Sequence, residues 1–364
     1  MKLKVIFVSN TSWYLYNFYN ELITFFINEG IEVIILSPDE EYFEKLSSLG
    51  VSCHSIPLSR RSLNPISDLI LVKKLLIIYK EINPAIVFNF TIKPNIWSGF
   101  VCKKLKIPYV NTISGLGSSF IAGGLLKKIT VYLYRLGGSH ALHNLVMNED
   151  DYEKMSCIFS DLPTKVKKIP GTGVDLSSFT YKSVQSRQNN SFLYIGRILT
   201  DKGINELLNV FSRFEDEGIS LNIIGDFDSG NPTSIDKRLF LEKVKNIDNI
   251  NYLGYKSDVK KYIVDASFVI LPSYREGLPR VLMESLAMST PIVASNVPGC
   301  VDLVTNQTGF LFEPKCELSL LHAIRKASEL SSHEYAELCR SSRKFAEDNL
   351  DSKNVINHYI SYCK

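Results

Sequence analysis

At 364 residues the chain exceeds the size at which a single hydrophobic core usually stops growing, so two domains are expected. A composition 45% hydrophobic and 22% charged excludes a disordered or fibrous chain. The net charge of +3 is too small to argue for a nucleic-acid partner, which demands a dense basic face.

In chain order, strand and helix patterns alternate. Residues 4–8 read as a strand, 13–28 as a helix closed by Gly30, and 32–36 as a strand ending at Ser37-Pro38. Helix 40–49, strand 51–56, helix 69–82, strand 85–90, helix 95–105 and strand 109–112 follow. From about residue 192 the theme repeats: strands 191–195, 221–224, 250–253, 268–271 and 291–294 alternate with helices 204–214, 234–245, 259–265 and one that holds Glu284. Such alternation predicts an α/β protein of doubly wound parallel sheets, with ligands at the carboxyl ends of the strands. Residues 176–190, polar and poor in apolar side chains, read as a linker between a first domain at 1–178 and a second at 190–345.

Seven cysteines are scattered with no C-x-x-C pair, and no histidines stand at ligand spacing, so thiols in a reducing compartment and no metal site are expected. Residues 1–9 form a first strand too short for a secretory or spanning segment, and no run approaches the roughly twenty apolar residues of a membrane helix. The expected location is the cytoplasm, or a membrane surface on that side.

The most informative stretch begins where strand 268–271 gives way to Tyr274-Arg275-Glu276-Gly277-Leu278-Pro279-Arg280 and a helix running to about Ser289. Glu276 falls in the strand-to-helix loop, and Glu284 falls between one and two turns into the helix, leaning back toward its start. The N–H groups of Gly277 to Arg280 point into the same crevice, where the helix dipole favours an anion. Two glutamates eight positions apart are usually solvated surface charges, but a second unit changes their weight. There strand 191–195 runs into Gly196-Arg197-Ile198-Leu199-Thr200-Asp201-Lys202-Gly203. Arg197 offers a planar fork for phosphate oxygens and Lys202 a point charge, together enough to neutralise a diphosphate.

Three segments of the first half are candidates for a second substrate. Thr91-Ile92-Lys93-Pro94-Asn95 and the glycine loop Ser114-Gly115-Leu116-Gly117 each follow a strand, although a tight surface turn explains the latter as well. Arg60 and Arg61 stand beside a strand end, either as part of a solvated loop or as a grip for a lipid diphosphate. Residues 125–135 and 73–80 mix apolar side chains with lysines. Each suits a helix lying on an anionic membrane or an ordinary helix packed on its own sheet, the second segment more readily the latter.

On the Gly-Arg…Lys-Gly segment, the Glu-x7-Glu element at Glu276 and Glu284, and Gly173-Val174-Asp175, the chain resembles a retaining glycosyltransferase of family four over nearly its whole length. The resemblance implies a GT-B fold, two Rossmann-like domains facing across a cleft, with residues 346–364 crossing back to the first. It implies Arg197, Lys202 and Glu276 at the reacting centre, with Glu276 on donor-sugar hydroxyls and Glu284 on the ribose. Gly254 and Tyr255 would frame the base, while Gly196, Gly203, Gly277, Leu278, Pro279 and Arg280 complete the donor site. Arg60, Arg61, Lys93, Gly115 and Gly117 resemble elements of bacterial enzymes that extend undecaprenyl-diphosphate-linked glycans for O-antigen, capsule or protein glycosylation. The implied partners are a nucleotide sugar, usually a UDP-sugar, a lipid-linked saccharide and the inner face of the plasma membrane, with no metal or other cofactor. One departure stands out: many members carry a histidine near the position of Ser114, and this chain has none there. The same architecture also serves sugar-nucleotide epimerases and non-catalytic partner subunits. An epimerase needs first-domain carboxylates and histidines at the anomeric carbon, but all six histidines fall outside these loops, and His140 and His143, which come nearest, better suit structural roles.

Overall fold

A computed structural model describes residues 2–38, 41–58, 64–116, 124–180, 190–215 and 217–363. The chain divides into two units, one of Met1–Thr172 with Asn354–Lys364 and one of Gly173–Lys353. The boundary falls where it does because Val174 N–H donates to Leu350 O and Ser352 N–H to Val174 O, tying both ends of the second unit together.

Unit 1 is built on a parallel sheet of β1 (Lys4–Val8), β2 (Glu32–Ser37), β3 (Ser52–Ser55), β4 (Ile86–Phe90), β5 (Tyr109–Ile113), β6 (His143–Val146) and β7 (Lys165–Lys168). The spatial order is β3-β2-β1-β4-β5-β6-β7. The central strands are buried on both faces because helices cover both. The outer strands Ser-Cys-His-Ser and Lys-Val-Lys-Lys are largely exposed, and the lysines blunt an edge that would otherwise invite pairing. The polarity of Lys-Val-Lys-Lys also hides β7 from a search for apolar runs, whereas β3 matches the expected strand 51–56; β6, helix Glu149–Ile158 and β7 extend the sheet beyond the elements read from the sequence. Two further differences are local. Helix Pro65–Ile82 begins four residues early, on an Asn64 cap and Pro65, and the first turn of the 95–105 segment is a π-turn, Pro94–Ser98.

One face of this sheet carries helix Ser12–Asn28, and Phe7, Tyr19, Phe26, Phe88 and Phe90 interlock beneath it with Tyr359 of the C-terminal helix. The Tyr359 hydroxyl lies 2.7 Å from Thr112 Oγ1, which fastens residues 354–364 to the end of β5. The other face carries helices Pro65–Ile82 and Gly99–Leu105.

Unit 2 repeats the plan with β8 (Ser191–Ile195), β9 (Ser220–Ile224), β10 (Ile250–Gly254), β11 (Phe268–Leu271), β12 (Ile292–Ser295) and β13 (Gly309–Phe312), ordered β10-β9-β8-β11-β12-β13. Helices Glu317–Ser328 and Ser332–Asn349 follow. No helix among the described residues is long and apolar enough to cross a membrane. No disulfide joins the described cysteines.

His358 gives this fold a pH dependence. Burial, then the charge of Lys167 at 3.3 Å and the neighbouring His143, lowers its pKa to about 4. Between that value and the ordinary one of about 6.5, the unfolded chain takes up a proton that the folded chain refuses. Stability therefore falls as pH drops through this window. Thermal unfolding followed from pH 7 to 4 is expected to show a declining Tm, with a shallower decline in His358→Gln; equal slopes would mean that the imidazole titrates freely.

Candidate functional site

In unit 2 the connection from β8 runs to one side of the sheet and that from β11 to the other, so the loops after these adjacent strands part and leave a crevice at their carboxyl ends. Both stretches singled out in the sequence open here. After β8, Ile198 and Leu199 are fully buried and pin the loop between Arg197 and Lys202. A single 3-10 turn, Thr200–Lys202, ends at Gly203 in the left-handed region (φ 71°), where helix Ile204–Phe211 begins. A Cβ on Gly203 would lie 2.1 Å from Pro272 O, so only glycine lets this turn press against the loop after β11. Tyr274 N–H donates to Asp201 O at 2.9 Å and joins the two loops directly.

Helix Arg280–Ala287 follows the second loop, with Leu282, Met283, Leu286 and Ala287 packed into the core and Pro279 as its cap. Pro279 is thus one position outside the helix, and since it has no N–H, the 277–280 segment carries three amides rather than four. Gly299, in the loop after β12, backs this segment: its Cβ would meet Gly277 O at 2.4 Å.

The charged side chains of the crevice are paired. Lys202 Nζ lies 2.5 Å from Glu276 Oε1, with both side chains mostly shielded, 19% and 14% exposed. Arg280 Nε donates to Glu284 Oε1 at 2.7 Å, and Glu284 is 13% exposed. Burial pushes the Glu284 carboxyl above its usual value, while the charges of Arg280 and, further off, Lys260 oppose the rise. Arg197 Nη1 bonds to Asp228 Oδ2 at 2.8 Å in a more open setting, with Arg197 45% exposed. Asp228, Tyr274 and Tyr194 have no site role in the sequence reading. The Tyr194 hydroxyl donates to Arg197 O at 2.8 Å and the Tyr274 hydroxyl to Glu206 Oε1 at 2.6 Å, so both brace the loops. The one available signal was the Gly225-Asp226 pair closing strand β9, which marks a loop at the same end of the sheet.

The remaining expected residues fall as follows. Gly196 begins the β8 loop, its N–H bonded to Ile224 O. Leu278 is packed against the unit 2 core. Gly254 (φ 71°) ends β10, and Tyr255 beside it is 65% exposed. β10 is the outer strand of the sheet, two strands from β8. In unit 1, Lys93 follows β4 and is paired with Asp68 at 2.7 Å, both largely shielded. Gly115 follows β5, and the adjacent Ser114 side chain pairs with that of Tyr14, at the position where the resemblance implies a histidine. Arg60, Arg61 and Gly117 lie outside the described residues. His143 opens β6 and His140 precedes it, at the amino end of the strand and so opposite the ligand loops. Among the described residues no three His, Cys, Asp or Glu side chains converge as a metal site. A cavity of about 400 Å³ lined by Val304, His322 and Lys326 belongs to β13 at the far edge of the sheet and holds no carboxylate.

Two Rossmann-like parallel sheets with a charged crevice at a strand-order switch define a GT-B fold. Solved structures agree over almost the full chain: sucrose-phosphate synthase from Thermosynechococcus elongatus (TM-score 0.78, 16% identity, 98% of this chain and 97% of that one) and Anabaena HepE in complex with UDP (TM-score 0.78, 16% identity, 99% and 98%). The chain belongs to the glycosyltransferases, for residues 180–347 match the family model "Glycosyl transferases group 1" and residues 4–143 match "Glycosyl transferase 4-like". It is 27% identical over 321 residues to the N,N'-diacetylbacillosaminyl-diphospho-undecaprenol alpha-1,3-N-acetylgalactosaminyltransferase of Campylobacter jejuni, covering 84% of this chain and 83% of that protein. It is 26% identical to the capsular polysaccharide biosynthesis glycosyltransferase CapM of Staphylococcus aureus, covering 80% and 79%.

The Gly203 contact makes the crevice testable by stability. Gly203→Ala is expected to cost more than the roughly 1–3 kcal/mol of a left-handed non-glycine residue, because the added carbon also strikes Pro272 O. Denaturant unfolding measures this; an unchanged midpoint would mean that the two loops move apart freely.

Proposed function

We propose that this glycosyltransferase moves a hexose or N-acetylhexosamine from a UDP-sugar to an undecaprenyl-diphosphate-linked saccharide, keeping the configuration at the anomeric carbon. The Lys202–Glu276 pair at the switch point carries the reading, since it sets a phosphate-binding cation beside a hydroxyl-binding carboxylate. The names of the relatives support the acceptor class, and the UDP complex of HepE supports the nucleotide.

In this mechanism Arg197 and Lys202 take the diphosphate, and the amides of the 277–280 segment add donors to it. Departure of the nucleoside diphosphate from the anomeric carbon builds negative charge on its oxygens, and fixed cations lower that barrier without reorganising. Glu276, released from Lys202, accepts from donor-sugar hydroxyls, and Glu284 accepts from the ribose. With the positive charge supplied by side chains, no divalent metal or other cofactor is needed. In unit 1, Lys93 and Gly115, with Arg60, Arg61 and Gly117, serve the acceptor. An acceptor of this kind puts the reaction at the inner face of the plasma membrane, with the protein peripheral on its cytoplasmic side.

The pairing seen at Arg197 adds a residue-level consequence. A half-exposed ion pair contributes only about 0–1 kcal/mol, so a diphosphate displaces Asp228 from Arg197 at small cost, and Arg197→Ala removes the grip with little effect on folding. Calorimetric titration is expected to show UDP binding at least tenfold tighter than GDP, unaffected by EDTA. Arg197→Ala should weaken UDP at least tenfold at unchanged Tm, and Asp228→Asn should tighten it severalfold. Preference for GDP, loss of binding in EDTA, or full affinity in Arg197→Ala would each contradict the scheme.

A further inference from the structure

Helix Pro65–Ile82 is apolar on both sides. Its inner face packs Leu71, Val72, Leu75, Ile78 and Tyr79 against the sheet, which is ordinary. Its outer face carries Ile66, Leu69, Ile70 and Ile77, each more than half exposed. These positions recur at helical spacing and form one stripe, interrupted by Lys73 and flanked by Lys74 and Lys80. Helix Gly124–Gly138 repeats the feature: Leu125, Leu126, Ile129 and Tyr132 are 46% to 74% exposed beside Lys127 and Lys128, and the helix contains no acidic residue. Single exposed apolar side chains are normal, but eight of them on two helices of one layer are not.

The two stripes belong to one surface. Both helices flank the 94–105 segment on the same face of the unit 1 sheet. Tyr79 meets Ser98 at 2.5 Å on one side, and on the other Gly137 leaves no room for a Cβ against Asn95 and Ile96. In a parallel sheet a connecting helix starts at the carboxyl end of the strand before it, so the first turns of both helices stand at that rim, beside the loops after β4 and β5. The Asp68–Lys93 pair fixes one of those turns directly to the β4 loop.

We propose that this rim is a membrane-docking face: the first turns of helices Pro65–Ile82 and Gly124–Gly138 enter the headgroup boundary of an anionic bilayer and hold the loops after β4 and β5 against it. The charge pattern selects the occupant. Of the acidic side chains on the two helices, Asp68 is engaged by Lys93 and only Glu81 remains, against five lysines, which suits a negative lipid surface. The purpose rests on the lipid-linked acceptor proposed above, but vesicle binding is read without donor or acceptor, so the two proposals fail separately.

Co-sedimentation with vesicles of phosphatidylcholine, alone or with about a third phosphatidylglycerol, tests it, since anionic lipid draws basic segments. The full chain is expected to pellet with the anionic vesicles and not with the neutral ones, and to be released by high salt. Leu69→Glu with Ile70→Glu, and separately Leu125→Glu with Ile129→Glu, should each lower the bound fraction at least tenfold at unchanged Tm. Lys127→Ala and Lys128→Ala should each lower it about fivefold. No binding to anionic vesicles at low salt, or equal binding by the glutamate variants, would overturn the proposal. So would a dimer in solution that these same substitutions dissociate, because the occupant would then be a second copy of the chain.

Discussion

The site in unit 2 depends on a contact between two loops that leave neighbouring strands in opposite directions. Backbone touches backbone where Gly203 meets Pro272, the Tyr274 amide reaches Asp201 O, and only then does Lys202 lie within 2.5 Å of Glu276. Each of these needs the others. The ion pair in particular is shielded enough that losing one partner would leave the second charge stranded, a penalty of about 3–5 kcal/mol in buried pairs. The same shielding would strengthen the hold of Lys202 on the proposed diphosphate, because attraction between charges grows as water is excluded.

The charged groups of the crevice differ in how readily they change partners. Arg197 and Asp228 form an open pair that yields cheaply. Lys202 and Glu276 form a closed one that yields only to a ligand satisfying both, an anion for the lysine and hydroxyl donors for the glutamate. A diphosphate joined to a sugar offers both together, and inorganic phosphate does not. Selectivity of this kind arises from the cost of leaving a shielded polar group unpaired.

Much of this was legible in the chain because it was local. Strands β8 and β11 are apolar runs, and glycine and proline mark the turns after them, so Arg197, Lys202, Glu276 and Glu284 could be placed on loops and helix before any contact was known. What the sequence could not supply was partner choice. Asp228 is thirty-one positions from Arg197 and carries no pattern of its own, and Tyr194 and Tyr274 read simply as strand and loop aromatics. Edge strand β7 is too polar to follow an apolar rule and does not show in the sequence for that reason. Helix Pro65–Ile82 is a different case: its sequence fits both a helix packed on its sheet and one with an apolar outer face, and the structure leaves Ile66, Leu69, Ile70 and Ile77 exposed.

A crystal structure of the protein grown with an intact UDP-sugar tests the central claim most directly. The account predicts the diphosphate within hydrogen-bond distance of Lys202 Nζ and Arg197, with Glu276 parted from the lysine and the ribose hydroxyls on Glu284. Nucleotide bound away from the loops after β8 and β11, or bound there with the Lys202–Glu276 pair still closed, would contradict it.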